Sequence, residues 1–148
     1  MNNLNIEIEY LEHFPVGKKL LNKNNPFIIN LIYASTEITE LVPFQRKFFK
    51  TGIKIKFPEN CYGYVIPCAK KFLDKGLTIM TPGIFTSDYD QEIEILLYNI
   101  DCDTFVLKPY VKIGELLINQ GLKLNFNHNP KKAIYNKKII NFKDEDED

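Results

Sequence analysis

A period-two alternation of polar and apolar residues limits the folds open to this chain. The alternation recurs in short runs and is clearest in residues 5–10, 52–57 and 92–95. Because successive side chains of a β-strand point to opposite faces of the sheet, such runs predict strands with one buried and one exposed face. Pro, Gly, Asn and Asp bound the runs, as expected for turns. Short strands with a turn about every 8 to 12 residues predict an antiparallel sandwich or barrel.

Further β-prone segments extend the predicted set of strands: residues 61–66, 77–80, 104–107 and 122–126. One short helix is predicted over residues 68–76, ending at Gly76 in the position of a C-cap. We therefore predict an all-β domain over residues 1–142 with at most one short helix. The acidic end, residues 143–148, is predicted to be a disordered tail, and it can serve either solubility or an interaction.

Composition narrows the classes of partner. The chain has 148 residues, enough for one ordinary domain, and its 19 Lys and Arg balance its 19 Asp and Glu. A net charge of zero and a single arginine, Arg46, argue against nucleic-acid or membrane partners. No apolar run reaches the roughly 20 residues of a membrane span, and no secretory signal is visible, so an intracellular protein that is not secreted is expected.

The thiols and imidazoles are too few for a metal centre. The chain has only two histidines, and its three cysteines have no metal-ligand spacing, so a zinc site is not expected. The thiols are predicted to be reduced and to fill space. The histidines are His13 and His128, and the cysteines are Cys61, Cys68 and Cys102.

Four segments resemble the trimeric dUTPase family. Residues 50–63 carry its Thr-Gly-Ile stretch, a proline and Cys-Tyr-Gly, and residues 42–51 fit the strand before them. Residues 82–93 look like the third family motif, and residues 111–118 are similar to the fourth. The resemblance implies a jelly-roll fold and a homotrimer with active sites between subunits. It also implies magnesium-assisted hydrolysis of dUTP to dUMP and pyrophosphate.

The same resemblance, followed position by position, implies that the chemical groups of the family are missing. Its water-activating aspartate falls on Thr86, which is no base at neutral pH. The aspartate of the first motif, near the metal, falls on Ile32. In the fourth motif Lys112 stands at the arginine and Glu115 at the glutamine. The sequence therefore predicts no catalytic, cofactor-binding or metal-binding residue.

Other family features are also altered. The Arg-Ser pair of the second motif becomes Cys68-Ala69, and the Arg-Gly pair of the third becomes Asp90-Gln91. No glycine follows Gly121, so the glycine-rich closing arm is absent from this sequence. These losses predict that the protein lacks both the cationic side chains that bind a polyanionic substrate in the family and the arm that closes over it.

What remains is a vestigial nucleotide pocket. Tyr89 either screens a deoxyribose, as in the family, or is structural, and Asp88 is expected to bond the backbone of its turn. Lys70 forms a small anion site or a solvated face with Lys71, and Glu92 and Glu94 are expected to make a solvent-facing acidic stripe with Asp90. The pocket is predicted to comprise Thr86, Asp88, Tyr89, Lys70, Lys112 and Glu115.

The leading hypothesis is a catalytically degenerate dUTPase-like homotrimer that acts by binding a protein partner. A viral accessory or host-interaction protein inside an infected cell is the expected context. One alternative is a dNTP pyrophosphatase with a rearranged site that uses Asp88, Asp90 or Glu115, and magnesium is expected only in that case. The others are a structural protein built from trimers and a nucleotide binder that does not cleave. If the protein is a monomer, its exposed aromatic residues, with Phe44, Phe48 and Phe49 as candidates, need another explanation.

Overall fold

The protein folds as a set of short antiparallel strands. The computed structural model describes residues 4–67, 72, 74–80 and 83–128. The strands there are β1 (Glu7–Tyr10), β2 (Ile28–Ile32), β3 (Thr39–Leu41), β4 (Arg46–Lys50), β5 (Ile53–Lys56), β6 (Cys61–Pro67), β7 (Leu77–Ile79), β8 (Ile84–Phe85), β9 (Glu94–Asn99), β10 (Phe105–Leu107) and β11 (Lys112–Gln120). Within these ranges no helix is long and apolar enough to span a bilayer.

Two sheets carry most of the structure. The larger has the order β2-β11-β6-β8, and the second has the order β4-β9-β7. Two further pairs, β1-β5 and β10-β3, complete the fold, and every pairing is antiparallel. Neighbours in the sheets are distant in sequence, as in a jelly roll, where strands alternate between sheets. The predicted all-β architecture is confirmed.

The core lies between the inward faces of these sheets. Alternate residues of β9 supply it together with residues of β11 around a register shift, and Ile95, Leu97, Ile113 and Leu116 are almost inaccessible to solvent. Phe49 of β4 packs edge-on against Tyr33, with ring centroids 5.2 Å apart and the Phe49 side chain buried. Phe49 is therefore a core residue, whereas Phe44 and Phe48 are exposed.

A tight junction before β5 joins the pieces of the fold. The Thr51 hydroxyl donates a 2.6 Å hydrogen bond to the Ile93 carbonyl. Gly52 follows with φ of +73°, and a Cβ there would lie 2.9 Å from the Ala34 Cβ. Only glycine adopts this conformation without strain in so small a space.

The strand predictions are confirmed in part. The alternating runs at residues 5–10, 52–57 and 92–95 correspond to β1, β5 and the start of β9, and residues 61–66, 77–80 and 104–107 correspond to β6, β7 and β10. The strand predicted over residues 122–126 is wrong, because that segment pairs with no strand in the described chain. Most of the predicted helix, and the whole acidic tail, lie outside the described residues.

Candidate functional site

The turn after β8 holds three of the predicted pocket residues. The Tyr89 N–H donates to the Thr86 carbonyl over 3.0 Å and closes the turn. The side chains of Thr86 and Asp88 are exposed. The contact that closes the turn in the described residues is between backbone groups, and a bond of the Asp88 carboxylate to the turn backbone stays a prediction. Thr86 thus lies in contact with solvent and offers a hydroxyl, not a base.

Tyr89 is bound into the fold rather than turned towards a ligand. Its hydroxyl donates to the Glu92 carbonyl over 2.9 Å, and its ring packs edge-on against Phe85 with centroids 4.8 Å apart. Burial, reinforced by the negative charges of Glu94, Glu92 and Asp90, raises the pKa of Tyr89 above 10.0. The geometry therefore favours the structural role for this tyrosine.

Glu92 is a structural anchor, so the predicted solvent-facing acidic stripe is wrong at this position. Its Oε2 accepts a 3.0 Å hydrogen bond from the Gly52 N–H and lies 2.7 Å from His13 Nε2. The carboxylate joins the segment after β1 to the junction before β5 and is only 15% exposed. Sequence reasoning missed His13 and Gly52 as its partners, since neither lies near Glu92 along the chain.

Lys112 and Glu115 come together at the start of β11. Lys112 Nζ lies 3.3 Å from Glu115 Oε1, and the Glu115 side chain is 14% exposed. Across the strand pair, Lys112 faces Ile32 and Glu115 faces Asn30. The lysine charge is thus offset by its own neighbour, so it has little to offer a polyanion.

The predicted pocket residues fall into two separate groups within one protomer. Glu115 pairs with Ile66 of β6, whereas Phe85, next to Thr86, pairs with Gly63, which also pairs with Ile118. The turn therefore lies near the far end of β11, about 10 Å or more along the strand direction from Glu115. The structure brings Lys112 and Glu115 together, and separately Thr86, Asp88 and Tyr89. Lys70 lies outside the described residues.

The residues present do not fit a magnesium ion. A hard cation takes oxygen ligands, mostly carboxylates, but Ile32, which stands where the family has an aspartate, is an aliphatic residue only 2% exposed. In the described ranges no three His, Cys, Asp or Glu residues are grouped so as to hold a metal. Glu115 is already paired with Lys112.

A cleft of about 540 Å³ opens beside the turn that carries Tyr89 and is lined partly by charged side chains of β1 and β5. Glu7 pairs with Lys56, and Glu9 pairs with Lys54, across the two strands. Opposite charges directly across a strand pair attract each other, so these four side chains add no net charge to the cleft. The cleft lacks the excess of cations that would attract a triphosphate.

Comparison with known proteins agrees with the fold. The family model described as dUTPase matches residues 30–140. A deoxyuridine 5'-triphosphate nucleotidohydrolase of Clostridium kluyveri is 31% identical over 111 residues, which are 74% of this chain and 71% of that protein. Its counterpart in Clostridium novyi is 34% identical over 94 residues, 63% and 66% of the two chains.

Solved structures show the same architecture. The dUTPase of Staphylococcus bacteriophage 80alpha superposes with a TM-score of 0.72 at 13% identity, covering 88% of this chain and 99% of that one. The EIAV dUTPase gives a TM-score of 0.69 at 19% identity and covers 88% and 100%. At these identities the superpositions report on the fold alone.

Proposed function

Because this chain belongs to the dUTPase family, we propose that it keeps the family scaffold and acts by binding, as a pseudoenzyme that does not hydrolyse dUTP. The observation that carries this proposal is Thr86. It occupies the family's water-activating position and is an exposed hydroxyl on a closed turn. A hydroxyl with an ordinary pKa cannot take a proton from water at neutral pH, and loss of a general base typically costs about 10²–10⁴-fold in rate.

Two further features support the loss of hydrolysis. Ile32 offers a buried aliphatic side chain where the family has a carboxylate. Glu115 offsets the charge of Lys112 where a triphosphate would need cations. Each change weakens binding of the substrate or its metal independently of the base, so restoring one group does not restore turnover.

We also propose that the protein self-associates as a homotrimer. The two groups of pocket residues lie apart within one protomer, so a vestigial pocket needs residues from neighbouring copies. Sedimentation over a concentration series tests this proposal directly. A trimer supports it, a monomer contradicts it, and species well beyond a trimer favour a structural assembly protein. The viral and intracellular context stays a prediction.

Pyrophosphate release tests the loss of hydrolysis. Purified protein is incubated with magnesium and dUTP, and separately with each standard dNTP. The expected rate equals that of the buffer control. The matched variant is Asp88→Asn, because Asp88 is the exposed carboxylate next to Thr86 on the turn. Turnover by the wild type that this variant abolishes would contradict the proposal and establish a rearranged active site. Turnover that this variant leaves unchanged and that co-elutes with the protein would also contradict the proposal, because Asp90 or Glu115 could then be the acid of a rearranged site; turnover that does not co-elute points to a contaminating enzyme.

A further inference from the structure

Strand β4 lies at the edge of the sheet β4-β9-β7. At one end of the β4-β9 ladder the Gln45 carbonyl accepts from the Asn99 N–H, and at the other end the Thr51 N–H donates to the Ile93 carbonyl. Backbone groups of successive residues in an antiparallel strand point to opposite sides. The odd-numbered residues from 45 to 51 therefore bond towards β9, and the even-numbered residues point their backbone groups to the open side.

The open side of β4 is only partly occupied. The Lys50 carbonyl accepts a 3.0 Å hydrogen bond from the Ala34 N–H. The N–H and C=O groups of Arg46 and Phe48 have no backbone partner among the residues that the structure describes. Such a row of unpaired groups is a template for an additional strand.

A cleft of about 390 Å³ lies against this edge. Its lining includes the basic residues His13, Lys47 and Lys50 and the hydroxyls of Ser35 and Thr39, with no Asp or Glu. The His13 imidazole contacts Glu92, which lies outside the lining. The cleft therefore offers a local excess of positive charge in a protein whose net charge is zero.

Exposed aromatic rings accompany the open edge. Phe48 is 59% exposed and Phe44, two residues before Arg46, is 66% exposed. Phe44 adopts φ of +63°, a costly conformation for a bulky residue, and its N–H is held by the Asn99 carbonyl. Lysines on an open edge often prevent pairing with another chain. Exposed phenylalanines on the same edge favour such pairing, because a partner would bury their apolar surface.

We propose that the open edge of β4 binds an extended acidic segment of a partner protein, which adds to the sheet as a further antiparallel or parallel strand. The backbone groups of Arg46 and Phe48 would pair with those of the segment. Because successive side chains of a strand point to opposite faces, acidic side chains on one face of the segment would meet Lys47, and apolar side chains on the other face would cover Phe48 beside Lys50. The bases of a single-stranded nucleic acid could stack on Phe44 and Phe48. Its phosphates, however, carry no hydrogen-bond donor for the backbone carbonyls of Arg46 and Phe48, so an extended peptide fits this edge better.

This inference rests on the proposed function in one respect: it states which kind of protein segment the proposed binding protein would recognise. It concerns a surface distinct from the turn at Thr86, and an active hydrolase could carry it equally well. Because the two are tested by peptide binding and by pyrophosphate release, either one can fail while the other stands.

A labelled ten-residue peptide in which glutamate alternates with valine or threonine is the probe, and fluorescence anisotropy with the full chain is the measurement. The expected result is saturable binding that weakens about tenfold when alternate peptide nitrogens are methylated on the edge-facing side, because this removes the strand-pairing donors. A peptide with lysine in place of glutamate should bind about tenfold more weakly or not at all.

The charge requirement is tested on the protein side with Lys47→Glu/Lys50→Glu, for which about a tenfold loss of affinity is expected. The matched control is Lys18→Glu/Lys19→Glu, two exposed lysines outside the lining of the cleft, which changes the total charge equally and should leave affinity unchanged. If the first double variant does not fold, the methylated peptide on the wild type decides. No binding up to millimolar peptide, equal binding of the methylated peptide, or displacement by an oligo(dT) strand would each overturn the proposal.

Discussion

Replacing Glu92 by alanine tests the role of its carboxylate. The structure indicates that this group anchors the fold and is not part of a metal or catalytic site. Its carboxylate accepts hydrogen bonds from the Gly52 N–H at 3.0 Å and contacts His13 at 2.7 Å. Gly52 is buried, so the variant leaves its N–H without a partner. A hydrogen bond to a charged group contributes about 1.5–3 kcal/mol.

The His13 contact adds less, because that side chain is 39% exposed and exposed pairs contribute about 0.2–1 kcal/mol. Glu92→Ala should therefore lower the free energy of unfolding by about 3 kcal/mol, while His13→Ala should lower it by about 0.5 kcal/mol. For a domain of this size the first change corresponds to a fall in Tm of roughly 6–12 °C. The assay is urea unfolding followed by circular dichroism.

The deciding quantity is the difference between the stability losses of Glu92→Ala and His13→Ala. If His13→Ala costs as much as Glu92→Ala, the anchoring of Gly52 is not the main role of the carboxylate. A hydrogen bond to a charged group contributes at least about 1.5 kcal/mol. If Glu92→Ala lowers the free energy of unfolding by less than about 1 kcal/mol, the structural interpretation of Glu92 is refuted.

Three further predictions concern the same region. Thr51→Val should cost about 1 kcal/mol in urea unfolding, because it removes the hydroxyl bond to the Ile93 carbonyl, which still accepts from the Thr51 N–H; no change would count against that bond. Gly52→Ala should cost at least about 2 kcal/mol, since φ of +73° and the approach to Ala34 both resist a Cβ, and a stabilised variant would contradict this. Burial raises the pKa of Tyr89, so its stabilising contribution is complete below pH 10 and is lost as pH rises through the folded-state pKa. The wild type should accordingly lose stability relative to Tyr89→Phe as the pH rises above 10 but not below it, and a constant difference would refute this.

Much of the fold follows from local pattern. The strands β5 and β9 have one buried face, and β1 alternates in sequence although its residues are half-buried or exposed, so a period of two identifies all three. The strand β2 is different, because the run Ile-Ile-Asn-Leu-Ile is largely buried on both faces and carries no alternation to detect. The strand β8 has two residues, too few for any periodicity.

Residues 122–126 show the limit of such reasoning. The segment alternates as a strand should, yet Leu122, Leu124 and Phe126 are exposed and no neighbouring strand receives them in the described chain. Pairing is a property of distant segments, so the local sequence cannot supply it.

The site shows the same division. The assignment of Thr86, Ile32 and Glu115 to positions that carry chemical groups in the family follows from the resemblance alone. The distance between the turn and the Lys112–Glu115 pair follows only from strand register. The bond between Glu92 and Gly52 joins residues 40 positions apart, and nothing in the sequence marks that contact.

The loss of dUTP hydrolysis is tested most directly in a single-turnover experiment, with the protein in excess over radiolabelled dUTP and magnesium present. Because all of the nucleotide can then be bound, even a slow chemical step becomes visible. The account predicts that dUTP stays intact for as long as it does in buffer. Formation of dUMP at a rate that follows protein concentration, and that Asp88→Asn removes, would contradict it.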